Sequence, residues 1–474
     1  MASGPERRRS AAWLAATALA AGGWWFGSGL HPQWWLTWLA PLPVLWLAPR
    51  VRHRWAAGAA FVAYAVGGGN QWHYLHGVIG LPMTTIAAAI GLPALAFALA
   101  VLLYRRLLSR RRALAASIAP AATWVAVEYV NNLLSPHGTF GSIAYSQMDA
   151  LPVIQVAAVT GLWGVSFLLL LLPAALAVQA LPPAVPARGR MAALATALVL
   201  LAAALGYGAL RLRAPAAASV RIGLVSIEKP IRPALQGAAG QALEARYVQA
   251  IGRLAQQGAR IAVIPETSFA TADTVPAFAQ LARQRGLVLD AGIDFKGGPQ
   301  AEHNRSMVFP PGAGAPASYD KHHLIPGFER QYTPGRRYRM LDGTPRIGLA
   351  ICKDMDFHDI GQAYAARGAQ LLLVPAWDFG VDGWLHARMA IMRGVESGFA
   401  VVRAARSGRL TLSDDRGRVL AEASSERHGA ELVGDLPLRD TRTLYARCGD
   451  AFAWLDLAGL AALLLLAMRP ARRD

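Results

Sequence analysis

Pro345-Arg-Ile-Gly-Leu-Ala-Ile-Cys352-Lys-Asp-Met-Asp356 is the stretch on which the reading of this chain turns. A β-prone apolar run ends at Cys352, and polar residues follow at once. A strand delivers a side chain to the rim of a sheet in this way, where chemistry can reach it. Cys448 is the other cysteine of the chain. Alone, Cys352 reads equally well as an ordinary buried thiol. Two upstream stretches change that balance. Ile261-Ala-Val-Ile-Pro-Glu266 is a second apolar run that ends in a carboxylate, and Tyr319-Asp-Lys321-His-His-Leu-Ile-Pro-Gly-Phe-Glu329 is a polar loop that presents a lysine. Glu266, Lys321 and Cys352, each at the edge of its own element, point to an activated thiol nucleophile.

Lysine usage supports Lys321. Of the 47 lysines and arginines, four are lysines: Lys229, Lys296, Lys321 and Lys353. Where arginine serves nearly every generic cation, a retained lysine suggests a tight site that a guanidinium does not fit.

The net charge of +18 raises nucleic acid as a partner. The positions of the arginines argue against it. They cluster at the ends of apolar segments, as membrane topology requires. Residues 11 to 210 are almost continuously apolar, whereas 215 to 445 read as a soluble α/β domain. Apolar segments lie near 11–28, 33–49, 55–76, 84–104, 114–131, 160–180, 190–210 and 451–468, each close to the ~20 residues that cross a bilayer. Arg7–Arg9, Arg50/Arg52/Arg54, Arg105/Arg106/Arg110–Arg112, Arg188/Arg190 and Arg469/Arg472/Arg473 fall on alternate sides of consecutive segments. By the positive-inside rule the N-terminus is cytoplasmic and residues 215–445 face outward. Trp24, Trp25, Trp34, Trp35 and Trp38 read as an interfacial belt, and Glu128, near the outer end of its span, as a carboxylate that reaches the interface.

In the outer segment, strands are predicted at 221–227, 261–265, 286–293, 304–309, 346–351, 370–374, 399–404, 410–412 and 419–421. Helices are predicted at 238–257, 275–285, 361–367 and 384–397. Strands alternating with helices imply a layered α/β domain. There is no phosphate-cradling glycine loop. His322 and His323 are adjacent, so their side chains diverge, and no metal or other cofactor is expected.

The order Glu–Lys–Cys, with Glu329 eight residues after Lys321, resembles the nitrilase (carbon–nitrogen hydrolase) superfamily. Eight spans around such a domain are similar to its membrane branch, the apolipoprotein N-acyltransferases. Trp38-Leu-Ala-Pro-Leu-Pro, Gly141-Ser-Ile-Ala-Tyr-Ser-Gln147, Gly161-Leu-Trp-Gly-Val-Ser-Phe167 and Thr443-Leu-Tyr-Ala-Arg447 carry the likeness through nearly the whole chain. The resemblance implies a multi-span α-helical membrane domain plus an extracytoplasmic αββα sandwich. It implies Glu266 as general base, Lys321 as the oxyanion-stabilising cation, Cys352 as nucleophile and Glu329 as a supporting carboxylate. It also implies a phospholipid donor, a lipoprotein acceptor and residence in the bacterial inner membrane, with no nucleic acid. The expected domains are 1–213 with about seven spans, 214–447 as catalytic domain, and 448–474 as a C-terminal helix and cytoplasmic tail.

The chain departs from the family pattern around the pocket. Pro326-Gly-Phe-Glu329 stands for Pro-Phe-Gly-Glu, Cys352-Lys353-Asp354 for Cys-Tyr-Glu, and Pro375-Ala-Trp-Asp-Phe379 for Ser-Asn-Asp-Ala-Trp-Phe. Ala405-Arg-Ser-Gly408 replaces an Asn-rich turn. The Cys-x-Asp order keeps open an alternative, a membrane-anchored amidase that hydrolyses a C–N bond.

Overall fold

The computed structural model describes residues 4–180, 186–216, 218–228, 230–298 and 301–469. Lys229, Arg472 and Arg473 lie outside the described residues. The chain divides into two compact units, one of residues 1–134, 141–212 and 450–474, the other of 135–140 and 213–449.

The first unit is helical. Among the described residues five helices are long and apolar enough to cross a membrane: Met83–Ser109, Ala113–Leu134, Leu162–Gln179, Ala187–Leu212 and Ala451–Met468. A further helix covers Gly4–Gly27. The continuous helix expected near 33–49 is instead two short ones, Trp34–Leu39 and Leu42–Leu47, followed by a 3₁₀ turn. Pro41 and Pro43 remove two backbone donors and clash with the preceding turn, so the helix stops and restarts. The segment expected at 55–76 ends its helix at Gly68 and continues in 3₁₀ and π turns. Trp24 is not part of an interfacial belt. It is fully buried against Tyr64, Phe97 and Trp124. Glu128 lies on the helix Ala113–Leu134. Four donors within the unit hold it, the indole of Trp124, the amide of Ile143 and the hydroxyls of Ser142 and Ser166. Such pairing removes the cost of an unsatisfied carboxylate.

The second unit is a four-layer sandwich. One six-stranded sheet has the order β12-β1-β2-β3-β4-β5 and the other β11-β10-β9-β8-β7-β6. The strands of the first sheet are β1 (Ala218–Ser226), β2 (Ile261–Thr271), β3 (Val288–Lys296), β4 (Glu302–Phe309), β5 (Ala317–Asp320) and β12 (Ala430–Leu438). Those of the second are β6 (Met340–Leu341), β7 (Ile347–Leu349), β8 (Leu371–Trp377), β9 (Ala400–Arg406), β10 (Arg409–Ser413) and β11 (Val419–Ser424).

Both faces of each central strand are buried, so the strands read as continuous apolar runs. Alternate residues go to different layers. Ile222, Leu224, Ile261, Val263, Ile347, Leu349, Leu371 and Leu373 meet between the sheets. Ala262, Ile264, Leu289 and Ile293 face the helices Ala238–Gln256 and Pro276–Arg285. Leu372, Val374 and Val401 face the other helical layer, which carries Ile360, Tyr364 and Ala390 on His358–Ala366 and Gly383–Ser397. The αββα sandwich expected from the resemblance is the observed fold.

Candidate active site

Glu266 owes its place to a break in a ladder. β2 pairs in parallel with β3, but the register shifts between Ile264 and Phe269. The residues between them bulge, Thr267 takes a positive φ of 46°, and the Ser268 hydroxyl donates to the Pro265 carbonyl at 2.8 Å. Gly292 on β3 makes room for the bulge. A Cβ there would lie 2.4 Å from Glu266 Cα and from Pro265 O.

Lys321 follows the last residue of β5. Its amide donates to Asn304 O at 2.9 Å, and its carbonyl accepts from Gly335 at 2.8 Å, which closes the loop between them. Cys352 opens the 3₁₀ turn Cys352–Asp356 just past β7, with φ of 44°. Non-glycine residues take this region at a cost of about 1–3 kcal/mol, and functional sites are where such strain concentrates.

The structure brings the predicted residues together. Lys321 Nζ lies 2.7 Å from Glu266 Oε1 and 2.9 Å from Glu329 Oε2, and all three side chains are buried. Asn304 donates to both carboxylates, at 2.5 and 2.6 Å. Glu329 Oε2 also accepts the amide of Ile325 at 2.7 Å, so the loop that carries Glu329 is tied down onto Lys321. The Cys352 thiol points at the Trp377 carbonyl, 3.5 Å away.

The electrostatics are those of a dry, charged site. Burial pushes the Cys352 thiol well above its ordinary value, Glu266 pushes the same way, and Lys321 opposes them. Burial likewise raises Glu266 against the pull of Lys321. Burial acts to lower Lys321, but Glu266 and Glu329 outweigh it, and its ammonium is held well above the usual range. Glu329 is lowered overall, because Lys321 and its hydrogen bonds outweigh burial. The resting site therefore pairs a protonated thiol with a fixed ammonium and a carboxylate made more basic by its surroundings.

Several residues of this site escaped the sequence reading. Asn304 is one. Asp354 was noted only for its Cys-x-Asp order; it is fully buried and accepts four hydrogen bonds. Ile351 N and Tyr319 Oη donate to its Oδ2 at 2.9 and 2.8 Å, and His322 N and His323 N to its Oδ1 at 3.1 and 2.8 Å. It pins the thiol's turn to the lysine's loop. His322 and His323 turn to different neighbours. His323 stacks on Phe357 and His322 packs against Tyr319 and Tyr338.

The remaining departures also find partners. Asp378 forms a buried two-pronged pair with Arg403, at 2.5 and 2.8 Å. Gly408 makes space for it, since a Cβ there would lie 1.9 Å from Asp378 Oδ2. Lys353 contacts Asp356 at 3.4 Å and His137 Nδ1 at 3.2 Å, and His386 lies 3.7 Å from Asp356 and 3.2 Å from Asp382.

A family profile described as Apolipoprotein N-acyltransferase N-terminal domain matches residues 11–175, and one described as Carbon-nitrogen hydrolase matches 239–445. An apolipoprotein N-acyltransferase from Azotobacter vinelandii is 30% identical over 462 residues, covering 87% of this chain and 84% of that one. One from Geobacter metallireducens is 28% identical, with 73% of each chain covered. An amidase from Nesterenkonia sp. of known structure is 24% identical with a TM-score of 0.40, covering 51% of this chain and 95% of that one. By its matches to both profiles and to full-length relatives, the chain belongs to the apolipoprotein N-acyltransferase family.

Proposed function

We propose that this bacterial membrane protein transfers an acyl chain from a phospholipid, through a thioester at Cys352, to the N-terminal amine of a lipoprotein. The observation that carries the reading is the buried Glu266–Lys321–Glu329 cluster beside a buried thiol in a strained turn. Glu266 takes the Cys352 proton as Sγ attacks the ester carbonyl. Lys321 stabilises the oxyanion in a site of low dielectric. The intermediate collapses, the C–O bond breaks, and Glu266 returns the proton to the leaving lysophospholipid oxygen. The acceptor amine then attacks the thioester, Glu266 takes its proton, and the C–S bond breaks. That proton goes back to Sγ. Glu329 and Asn304 hold Lys321 and Glu266 in register throughout.

Residues 1–213 and 448–474 are taken as the membrane anchor, in the inner membrane, and 214–447 as a catalytic domain on its outer face. The alternation of arginine-rich and arginine-free loops supports this orientation. A reporter fused after Arg213 should read as exported, and one after Arg112 as cytoplasmic. The amidase alternative gives no role to the region that matches the acyltransferase N-terminal profile.

The test is incubation of the purified chain with labelled phospholipid and no acceptor. A hydroxylamine-sensitive label should appear on the Cys352 peptide, be lost in Cys352→Ala and form slowly in Glu266→Gln. A label on Cys448 would refute the assignment. Unchanged lipoprotein N-termini in a host that relies on this chain for N-acylation would refute the function.

A further inference from the structure

Among the described residues, four of the five non-glycine residues with positive φ surround the site: Thr267 next to Glu266, Cys352 itself, Arg232, and Ser407 next to Arg406. Strain persists where the surroundings enforce it, so each outlier asks for a use. Glu266 and Cys352 account for two. The other two aim a pair of guanidiniums at one indole. Arg406 Cζ lies 4.3 Å from the Trp377 ring centroid and Arg232 Cζ 5.7 Å from it. Arg232 also lies 5.3 Å from the Tyr332 ring, and its Nε is buried with no hydrogen-bond partner among the described residues. Trp377 is the residue whose carbonyl faces the Cys352 thiol.

Two cations converging on one ring repel each other. Burial, joined by Arg232 and opposed by Tyr247 and Glu228, pulls Arg406 below its ordinary value. An anion between the two guanidiniums would relieve both costs, and their planar forks suit the oxygens of a phosphodiester. The segments that carry Tyr332 and Trp377 are apolar at their other ends. Phe328 and Phe379 meet edge to face with ring centroids 5.1 Å apart, and Phe328 and Val381 are exposed. A charged end beside the nucleophile and an apolar end leading away match an amphiphile.

We propose that Arg232 and Arg406 form an anion subsite that holds the phosphodiester of a glycerophospholipid donor, with Phe328 and Phe379 bordering its acyl chain. This rests on the acyl-transfer reading. It adds a reason for the donor to be a phospholipid rather than any lipid ester. A headgroup held against the Trp377 ring presents its ester carbonyl to Cys352, whose thiol faces the Trp377 carbonyl.

The experiment compares two donors with the same chains, phosphatidylethanolamine and diacylglycerol, by the rate of thioester formation on Cys352 in the full chain. The native protein should prefer the phospholipid. In the double variant Arg232→Gln, Arg406→Gln that preference should fall roughly 10- to 100-fold, the loss expected for charge-assisted hydrogen bonds. Arg232→Lys with Arg406→Lys should restore part of it. A folding defect would slow both donors alike, so the ratio isolates the subsite. An unchanged ratio in the glutamine variant, or no preference in the native protein, overturns the proposal. No label on Cys352 from either donor instead overturns the acyl-transfer reading itself. Inorganic phosphate in a parallel arm should fail to compete with the lipid. Effective competition would assign the subsite to the free ion.

Discussion

Lys321→Met removes the ammonium that stands 2.7 Å from Glu266 and 2.9 Å from Glu329. The two buried carboxylates are then left bridged by the amide of Asn304 alone. Removing one partner of a buried ion pair costs about 3–5 kcal/mol. For a unit of this size that is a fall in melting temperature of about 6–20 °C. The carboxylates can relieve part of the cost by keeping a proton, and burial already pushes Glu266 that way. A carboxyl whose folded pKa lies above its ordinary 4.5 holds more protons folded than unfolded in that interval, so stability falls as pH rises through it. The deficit should therefore be smallest near pH 4.5 and grow toward alkaline pH. Loss of one oxyanion donor should also slow thioester formation by about 10²–10³. The assays are thermal unfolding in detergent across a pH series and burst labelling of Cys352. A shift below about 2 °C that ignores pH, with a burst rate near native, would refute the ion-pair argument.

Three further outcomes are expected. Asp354→Ala strands four donors and should cost about 3–6 kcal/mol while abolishing thioester formation, with Asp354→Asn milder. A native melting curve for the alanine variant would contradict this. Gly408→Ala drives a methyl into Asp378 and should cost about 3–5 kcal/mol through the Arg403 pair, whereas Gly252→Ala, in open space on a helix, should stabilise by about 0.5–1 kcal/mol. Equal effects of the two would show that the contact is irrelevant. At His386 burial acts to lower the pKa, but Asp382 and Asp356 outweigh it and raise the value from 6.5 to about 10. Its contribution is fully present below pH 6.5 and disappears as pH rises through about 10. The stability gap between native protein and His386→Gln should close over that window, and a constant gap would rule out the charged imidazole.

Cys352, Glu266 and Lys321 were legible because each sits where an apolar or β-prone run gives way to polar residues. That is a local pattern, and the fold preserves it. Asn304 and Asp354 were not, because their roles come from cross-strand register and loop return. Neither leaves a mark in neighbouring residues. Arg232 and Arg406 were hidden by composition, two arginines in a chain that uses arginine everywhere. β12 was missed for a physical reason too. It is an edge strand with Gly434, Asp435 and Pro437, and an edge needs neither continuous apolar faces nor every amide. The apolar segment at 33–49 is short and carries Pro41 and Pro43, and it breaks into two short helices where those prolines fall. Departures such as Asp378 and Gly408 looked like separate oddities in the sequence. In the fold they compensate each other.

β1 and β12 pair antiparallel from Ala218↔Leu438 to Ser226↔Ala430. The first strand of the sandwich unit to be synthesised is thus completed by the last. At ribosomal speeds of about 5–20 residues per second, β1 waits roughly 10–40 s for its outer partner. During that time its open flank is a template for any other strand, and the exposed Arg221 is among the few things that discourage one. The arrangement also has an architectural use. A unit whose entry and exit strands lie side by side can be spliced into a host chain at a single point, so it can be acquired, or exchanged, as a cassette.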